Sequence, residues 1–371
     1  MPKRHYCDFR VYHHAAQRFL AKQELYVQDS PAITPFKYSP FFAFAFSPLG
    51  LLPIHAAAGV FFAVNFLATI ALFLFARKLT AKQGIPKRRA FLIYLLTAVF
   101  MFRYVLLNWD SGQAVILMLC LVAMSLYFFS EGKDVPGAAL LACAILIKYT
   151  PAIVIPYLVA RRKFKAAAWT ALFLAALLIL PAVCVGFRQE MRYLFAWFPS
   201  IISTSLDQGS YFDFMNQSIF SMVLRLAADS PYKGNLLSLD FHSALMLAYA
   251  VSCVLYLLAL VPKKGKDTRA IDYALLFVCI PLFNPNGWVL SFVALVYPCF
   301  VLIHHLFKVK FKDTFTLALL LMAAFIMVFW GRSLVGEDLQ FVAEVSSFTT
   351  LGALLIMACL AKLKFDKHPV F

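Results

Sequence analysis

The sequence predicts an all-α polytopic membrane protein: a bundle of about eleven transmembrane helices with outward-facing loops and an amphipathic N-terminal helix. Three observations point there. Of 371 residues, 63% are hydrophobic and only 14% charged, against about 25% charged in an ordinary soluble domain. The mean hydropathy is +0.79. Long apolar runs alternate with short Lys/Arg clusters, and these clusters share one face when successive runs reverse direction.

The chain opens with Cys7–Leu20, where acidic, basic and aromatic residues precede any apolar span. At helical spacing Phe9, Tyr12, Ala16 and Phe19 gather, while Asp8, Arg10, His14 and Arg18 fall on other faces. That pattern predicts an amphipathic helix on a membrane surface. Asp8 near its start would cap free N–H groups as readily as it would do chemistry. Residues 22–53 carry Pro31, Pro35, Pro40, Pro48 and Pro53, which exclude a long helix. Their aromatic patch, Phe36–Phe42, is expected to rest on the bilayer or dip into it.

The first span is His55–Ala76, and Arg77, Lys78 and Lys87–Arg89 fix its far end as cytoplasmic. Phe91–Leu107 returns outward to Asn108–Gln113, and Ala114–Phe129 goes back in to Glu131–Asp134. Val135–Ala160 has cytoplasmic flanks on both sides, so it must cross twice, as two short helices meeting near Lys148 on the outer side. Each is below the roughly 20 residues of a full span. Ala166–Val185 leads to an outer region, Arg188–Asp240. Phe241–Val261, Ala270–Phe283, Trp288–Leu306, Phe315–Trp330 and Phe341–Ala361 follow, with outer turns at Asn284–Gly287 and Gly331–Asp338. The organisation expected is an external first loop (1–54), an N-terminal bundle (55–187), an external region (188–240) and C-terminal helices (241–371). The N-terminus then lies outside, and a further membrane helix is expected upstream of Met1.

The net charge of +16 follows from the positive-inside loops; no nucleic-acid motif accompanies it, and nucleic acid is excluded as a partner. The 8 Cys stand mostly alone in apolar segments, and His13 and His14 form no ligand pattern. We therefore expect no metal and no cofactor.

Polar groups outside the basic loops sort to the outer side: Asp8, His13, His14, Tyr38, Asn108, Asp110, Gln113, Lys148, Asn216, Gln217, Arg225, Asn284 and Asn286. Ionisable and amide groups at membrane depth commonly line a cavity or pathway. Each has a plainer reading. Lys148 and Arg103 could snorkel to headgroups. Asn108 and Gln113 could cap helix ends, and Asn284 and Asn286 suit a turn. Their shared side places any chemistry outside.

Asp8-Phe9-Arg10-Val11-Tyr12 with Ala15-Ala16, then Leu25-Tyr26, Tyr38-Ser39-Pro40-Phe41 and Pro48-Leu49, come in an order that resembles glycosyltransferase family 87. Asn108 with Gly112-Gln113, Ile147-Lys148 with Pro151 and Arg161-Arg162, and Asn216-Gln217-Ser218 with Arg225 continue the series. The resemblance implies a GT-C-type membrane enzyme with a polyprenyl-phosphate sugar donor, usually mannose or a related sugar. It implies a base in the first external loop, which Asp8 matches, and a membrane helix before that loop. Pro285–Ser291 lacks the His residues that some members carry there, so donor or acceptor details tied to them do not transfer.

On that reading, Asp8 deprotonates the acceptor hydroxyl in one inverting displacement. Lys148, Arg225 and Arg103 would bind the donor phosphate; Tyr38, Asn108, Gln113, Asn216, Gln217 and His14 would bind sugar or acceptor. A lipid or glycan acceptor and membrane lipids complete the expected partners. The place expected is the plasma (inner) membrane, with the active site on the periplasmic, extracytoplasmic side. The rival readings are a transporter or flippase of envelope lipids or glycans, and a non-catalytic partner in an envelope-polysaccharide complex. A transporter predicts internal repeats and broken midplane helices; the sequence shows no repeat.

Overall fold

The computed structural model describes residues 7–27, 35–80, 85–232, 235–263 and 267–366. These residues are helical throughout apart from connections, with two isolated bridges (Asn216 with Trp288, Ala228 with Leu239) and no strand among them. The chain forms two compact units. The first comprises Met1–Leu72 and Leu106–Leu206, the second Phe73–Val105 and Asp207–Phe371.

In chain order the helices are α1 (Cys7–Leu20), α2 (Pro40–Gly50), α3 (Ile54–Thr80), α4 (Lys87–Ser111), α5 (Val115–Ser130), α6 (Asp134–Ile147), α7 (Val154–Ala160), α8 (Phe164–Ile179), α9 (Ala182–Val185) and α10 (Phe187–Leu206). A 3₁₀ turn, Thr150–Ile153, leads into α7. They continue as α11 (Gln208–Phe212), α12 (Ile219–Ala227), α13 (Phe241–Leu260), α14 (Arg269–Leu282), α15 (Val296–Lys308), α16 (Thr314–Val328), α17 (Arg332–Val345) and α18 (Phe348–Phe365).

Six helical segments are long and apolar enough to cross a membrane: Ile54–Thr80, Lys87–Ser111, Phe164–Val185, Phe241–Leu260, Val289–Lys308 and Phe348–Phe365. The pair α16 and α17, bent by 93°, adds a seventh if taken as one broken span. The protein is therefore a multi-pass membrane protein. The remaining apolar runs form α5, α6, α7 and α14, with 16, 14, 7 and 14 residues, below the length of a full span.

In the first unit α1 lies on α2. Phe9 and Tyr12 meet Phe46 and Phe42, and Gly50 lets Ala16 approach so closely that a Cβ at Gly50 would lie 2.9 Å from it. The buried surface of α1 is wider than its sequence pattern suggested, for it includes Val11, His13 and Ala15; Arg10 and His14 remain exposed. The aromatic patch departs from expectation as well. Phe36, Phe41 and Phe42 are buried in protein, Phe36 against Tyr26 and Phe42 against Tyr12, instead of facing lipid. Apolar surface is covered equally well by neighbouring rings, and here Tyr12 of α1 and Tyr26 supply them. Pro40 begins α2 and Pro48 lies inside it, so the proline-rich segment does hold one short helix.

In the second unit α18 packs against α14 and α16. The run Phe341–Ala361 is not continuous. α17 ends at Val345, Ser347 adopts φ of 60°, and α18 starts at Phe348. The expected outer turn Gly331–Asp338 is largely helical, with Gly336 (φ 82°) as its break.

Candidate active site

In the first unit, three pieces of local chemistry place the polar groups. The first is the end of α4. Gly112 takes φ of 68°, its N–H donates to Trp109 O at 3.2 Å, and Gln113 N–H donates to Asn108 O at 3.0 Å. This is a Schellman closure, which needs a left-handed residue at that position and therefore favours glycine. It turns the chain sharply beside α1, where a Cβ on Gly112 would lie 2.6 Å from Phe9 Cβ. The second is the end of α6, where Lys148 becomes extended (φ −153°, ψ 129°) because Pro151 has no N–H for Ile147 O and its ring would clash with that carbonyl in a continued helix. The third is Ser39. Its hydroxyl caps α2 by accepting from Phe42 N–H at 3.2 Å, and donates to Leu146 O at 2.5 Å. That bond ties Tyr38 to the end of α6.

The result is one connected cluster. Tyr12 Oη donates to Gln113 Oε1 at 3.0 Å, and the Tyr38 and Tyr12 hydroxyls are 2.9 Å apart. Since Tyr12 has spent its proton on Gln113, Tyr38 donates to Tyr12. The Gln113 amide in turn hydrogen-bonds Asp8, and Lys148 stands within electrostatic reach of that carboxylate. Asp8 is half-buried in the first turn of α1. Burial pushes its carboxyl above the usual range, while Gln113 and Lys148 hold it down; burial wins. A carboxyl made more basic by burial, yet steadied by one amide and one ammonium, can accept a proton from a hydroxyl.

The structure thus brings Asp8, Tyr38, Gln113 and Lys148 together. Asn108 is buried one turn before Gly112 and contributes its backbone carbonyl to the closure. His14 is exposed, whereas its neighbour His13 is buried with Nε2 3.0 Å from Leu52 O. Tyr12, a ring on the apolar face by pattern, is a polar member of the cluster that sequence reasoning did not single out.

The second unit has its own polar knot. Asn216 Oδ1 accepts from Ser218 N–H at 3.1 Å, and its amide donates to Ser210 O at 2.9 Å and Pro285 O at 2.7 Å. Gln217 donates to Phe214 O at 2.8 Å and Glu344 O at 2.7 Å. Arg225 Nη1 donates to Asp213 O, Asn216 O and Ser221 Oγ at 3.1, 3.0 and 2.7 Å. Its Nη2 donates to Ser347 Oγ at 2.8 Å, leaving Nε without a partner. Burial draws the Arg225 guanidinium down to about 10, so it stays charged at neutral pH. Arg103 bonds Met327 O and Glu344 Oε1, both at 3.2 Å.

Glu344 is a second residue missed from sequence. The signal was available, since a carboxylate inside an apolar run needs a partner, and Arg103 provides it. Among the described residues no group of three or more His, Cys, Asp or Glu could hold a metal ion.

Six helical segments able to cross a membrane make this a multi-pass membrane protein, and its first unit holds a polar cluster around the half-buried Asp8. The family model of glycosyltransferase family 87 matches residues 36–291, more than half of the chain. The chain belongs to glycosyltransferase family 87 and is a glycosyltransferase. Comparison with curated proteins finds no match. Tyr38, Arg103, Asn108, Gln113, Lys148, Asn216, Gln217 and Arg225 lie inside the matched stretch; Asp8 and His14 precede it and Glu344 follows it.

Proposed function

We propose that this glycosyltransferase moves a hexose, mannose in the first instance, from a polyprenyl-phosphate donor to a lipid or glycan acceptor. The reaction would take place on the extracytoplasmic (periplasmic) side of the plasma (inner) membrane. The observation that carries the proposal is the environment of Asp8: a carboxylate raised by burial, bonded by Gln113 and faced by Lys148. An acceptor hydroxyl attacks the anomeric carbon, the bond from that carbon to the phosphate oxygen breaks, and the phosphate leaves with the electron pair. The hydroxyl proton passes to Asp8, and the anomeric configuration inverts.

Lys148 supplies positive charge beside Asp8 and is assigned to the donor phosphate. Arg225 and Arg103 receive the same assignment on charge, supported for Arg225 by its unpartnered Nε. Tyr38, Asn108, Gln113, Asn216, Gln217 and His14 are assigned to sugar or acceptor. The topology that accompanies this reading has about eleven crossings, in which the shorter apolar helices are covered by protein, and residues 1–54 form an external loop with α1 at the membrane surface.

The test is transfer of labelled sugar from polyprenyl-phosphate mannose in membranes carrying the chain, beside Asp8→Asn. Label should move in the wild type and fall to background in the variant at equal protein level. An active Asp8→Asn enzyme removes Asp8 as base. An unlabelled acceptor pool in the wild type, with other polyprenyl-linked sugars also inert, removes the donor assignment.

A further inference from the structure

α10 follows the apolar segment Phe164–Val185 after a single residue, Gly186, whose φ of 87° breaks the helix there. With 20 residues it has the length of a span, yet it carries Arg188, Glu190 and Arg192 in its first two turns and is not among the six segments able to cross a membrane. At 3.6 residues per turn its surface divides into three sectors. Glu190, Tyr193 and Trp197 share the sector turned to the protein. Glu190 and Tyr193 are buried, Tyr193 Oη donates to Gln23 O at 2.7 Å, and Trp197 Nε1 donates to Lys37 O at 3.3 Å. Phe187, Met191, Phe195 and Phe198 gather on about 80° of arc away from it. Phe187, Phe195 and Phe198 are 63, 78 and 66% exposed. Arg188 and Arg192 form the third sector, next to Phe195 on the wheel; both are exposed, and neither pairs with a carboxylate among the described residues.

A helix with one aromatic strip, one basic strip and little overall hydropathy suits the plane of a membrane interface. The chain before it says which surface covers the aromatic strip. Only 17% of the apolar window in Phe164–Val185 is buried in the protein, so lipid covers most of that segment. Its exposed Ile179, Leu180 and Val183 lie just ahead of Gly186, and the bilayer that covers them therefore reaches the start of α10. Charge says which lipid. The exposed charged residues on α10 and beside the two carbonyls it bonds are Arg188, Arg192, Lys22 and Lys37, against Glu24 alone. A basic edge at headgroup level attracts anionic lipid.

We propose that α10 lies in the headgroup plane of the bilayer, with Phe187, Phe195 and Phe198 among the acyl chains and Arg188 and Arg192 on the phosphates of anionic phospholipids. The lipid fixes the helix that holds Gln23 and Lys37, and Lys37 adjoins Tyr38 of the Asp8 cluster. Anionic lipid thereby supports sugar transfer. That last consequence rests on the Asp8 reading above; the lipid contact does not.

The experiment uses the full chain with Phe195→benzoylphenylalanine, reconstituted in vesicles of equal phosphatidylcholine and phosphatidylglycerol, irradiated, and analysed by mass spectrometry. The benzophenone should capture lipid, with phosphatidylglycerol in excess. Arg188→Gln and Arg192→Gln in the same chain should each cut that excess by about fivefold, which is what about 1 kcal/mol per arginine amounts to. Ala196→benzoylphenylalanine, on the far side of the arginines, should capture little lipid. The proposal is overturned by polypeptide adducts at position 195, by equal lipid capture at 195 and 196, or by a lipid ratio that the two arginine variants leave unchanged.

Cross-linking requires no transfer, so its outcome stands whatever the donor. For transfer itself, the wild-type rate should rise as phosphatidylglycerol replaces phosphatidylcholine, and the Arg188→Gln/Arg192→Gln enzyme should lose that dependence. A rate indifferent to phosphatidylglycerol in the wild type overturns the link to Tyr38. Failure of the Asp8 reading shows separately, as activity retained in Asp8→Asn.

Discussion

Gln113 stands between Tyr12 and Asp8, accepting the Tyr12 hydroxyl on Oε1 at 3.0 Å and presenting its amide to the Asp8 carboxylate. The amide is a donor that favours ionised Asp8, so removing it makes Asp8 harder to ionise. Gln113→Leu should therefore move the acid limb of the transfer profile to higher pH and lower the rate at neutral pH by about tenfold or more. Steady-state rates between pH 4.5 and 8 would show it. An unmoved acid limb would mean that Gln113 does not govern the ionisation of Asp8.

Gly112 turns the chain into that site, and its two constraints can be separated. Gly112→Ala imposes a left-handed alanine and a Cβ 2.6 Å from Phe9 Cβ. Together these should cost about 2–4 kcal/mol. Gly132 has φ of 74° but open space around it, so Gly132→Ala should lose only the conformational part, about 1 kcal/mol. Unfolding midpoints of the purified variants in detergent compare the two directly.

Glu190 links stability to pH with a definite sign. Its folded value of about 7 lies above its ordinary value of 4.5, so between these limits the folded chain binds more protons than the unfolded one. Stability is then fully present below about pH 4.5 and is lost as pH rises through about 7. Glu190→Gln should remove the part of that decline centred near pH 7 and leave only the smaller share of the Asp8 carboxyl, which burial also raises. Midpoints that rise with pH in the wild type would contradict the assignment of a buried neutral acid.

Arg225 holds the second unit through four bonds, to Asp213 O, Asn216 O, Ser221 Oγ and Ser347 Oγ. Arg225→Ala would leave several buried acceptors without a donor, each costing about 1–3 kcal/mol. Lysine carries the charge but cannot reproduce the fork. Arg225→Lys is thus expected to lose about 2 kcal/mol or more, whereas Lys148→Arg should fold normally. Folded yield by size-exclusion chromatography separates the two, and an Arg225→Lys protein as stable as wild type would favour a role in ligand binding over the fold.

The polar cluster near Asp8 shows how far sequence carries. Asn108 through Gln113 announced a helix end, because glycine is the residue that accepts the left-handed turn a Schellman closure requires. Lys148 ahead of Pro151 announced a break for a similar local reason. Tyr12 was hidden, since a tyrosine on an apolar face has the same pattern whether its hydroxyl is idle or bonded. Glu190 was hidden differently: the first turn of a helix is an ordinary place for an acid, and only burial without donors makes it unusual.

What the sequence determined by itself was the class of environment and the order of elements. Hydropathy and the placement of Lys and Arg act through bulk transfer free energies, which depend on composition along the chain and hardly on partners. What only the tertiary structure decided was which polar groups meet. Glu344 finds Arg103 across 241 residues, and Tyr12 finds Gln113 across 101. Hydrogen bonds and desolvation act over a few ångströms, so their partners are set by packing and not by spacing in the chain. For that reason the long apolar runs could be read from the chain, while the break between α17 and α18, the burial of Glu190 and the amide facing Asp8 could not.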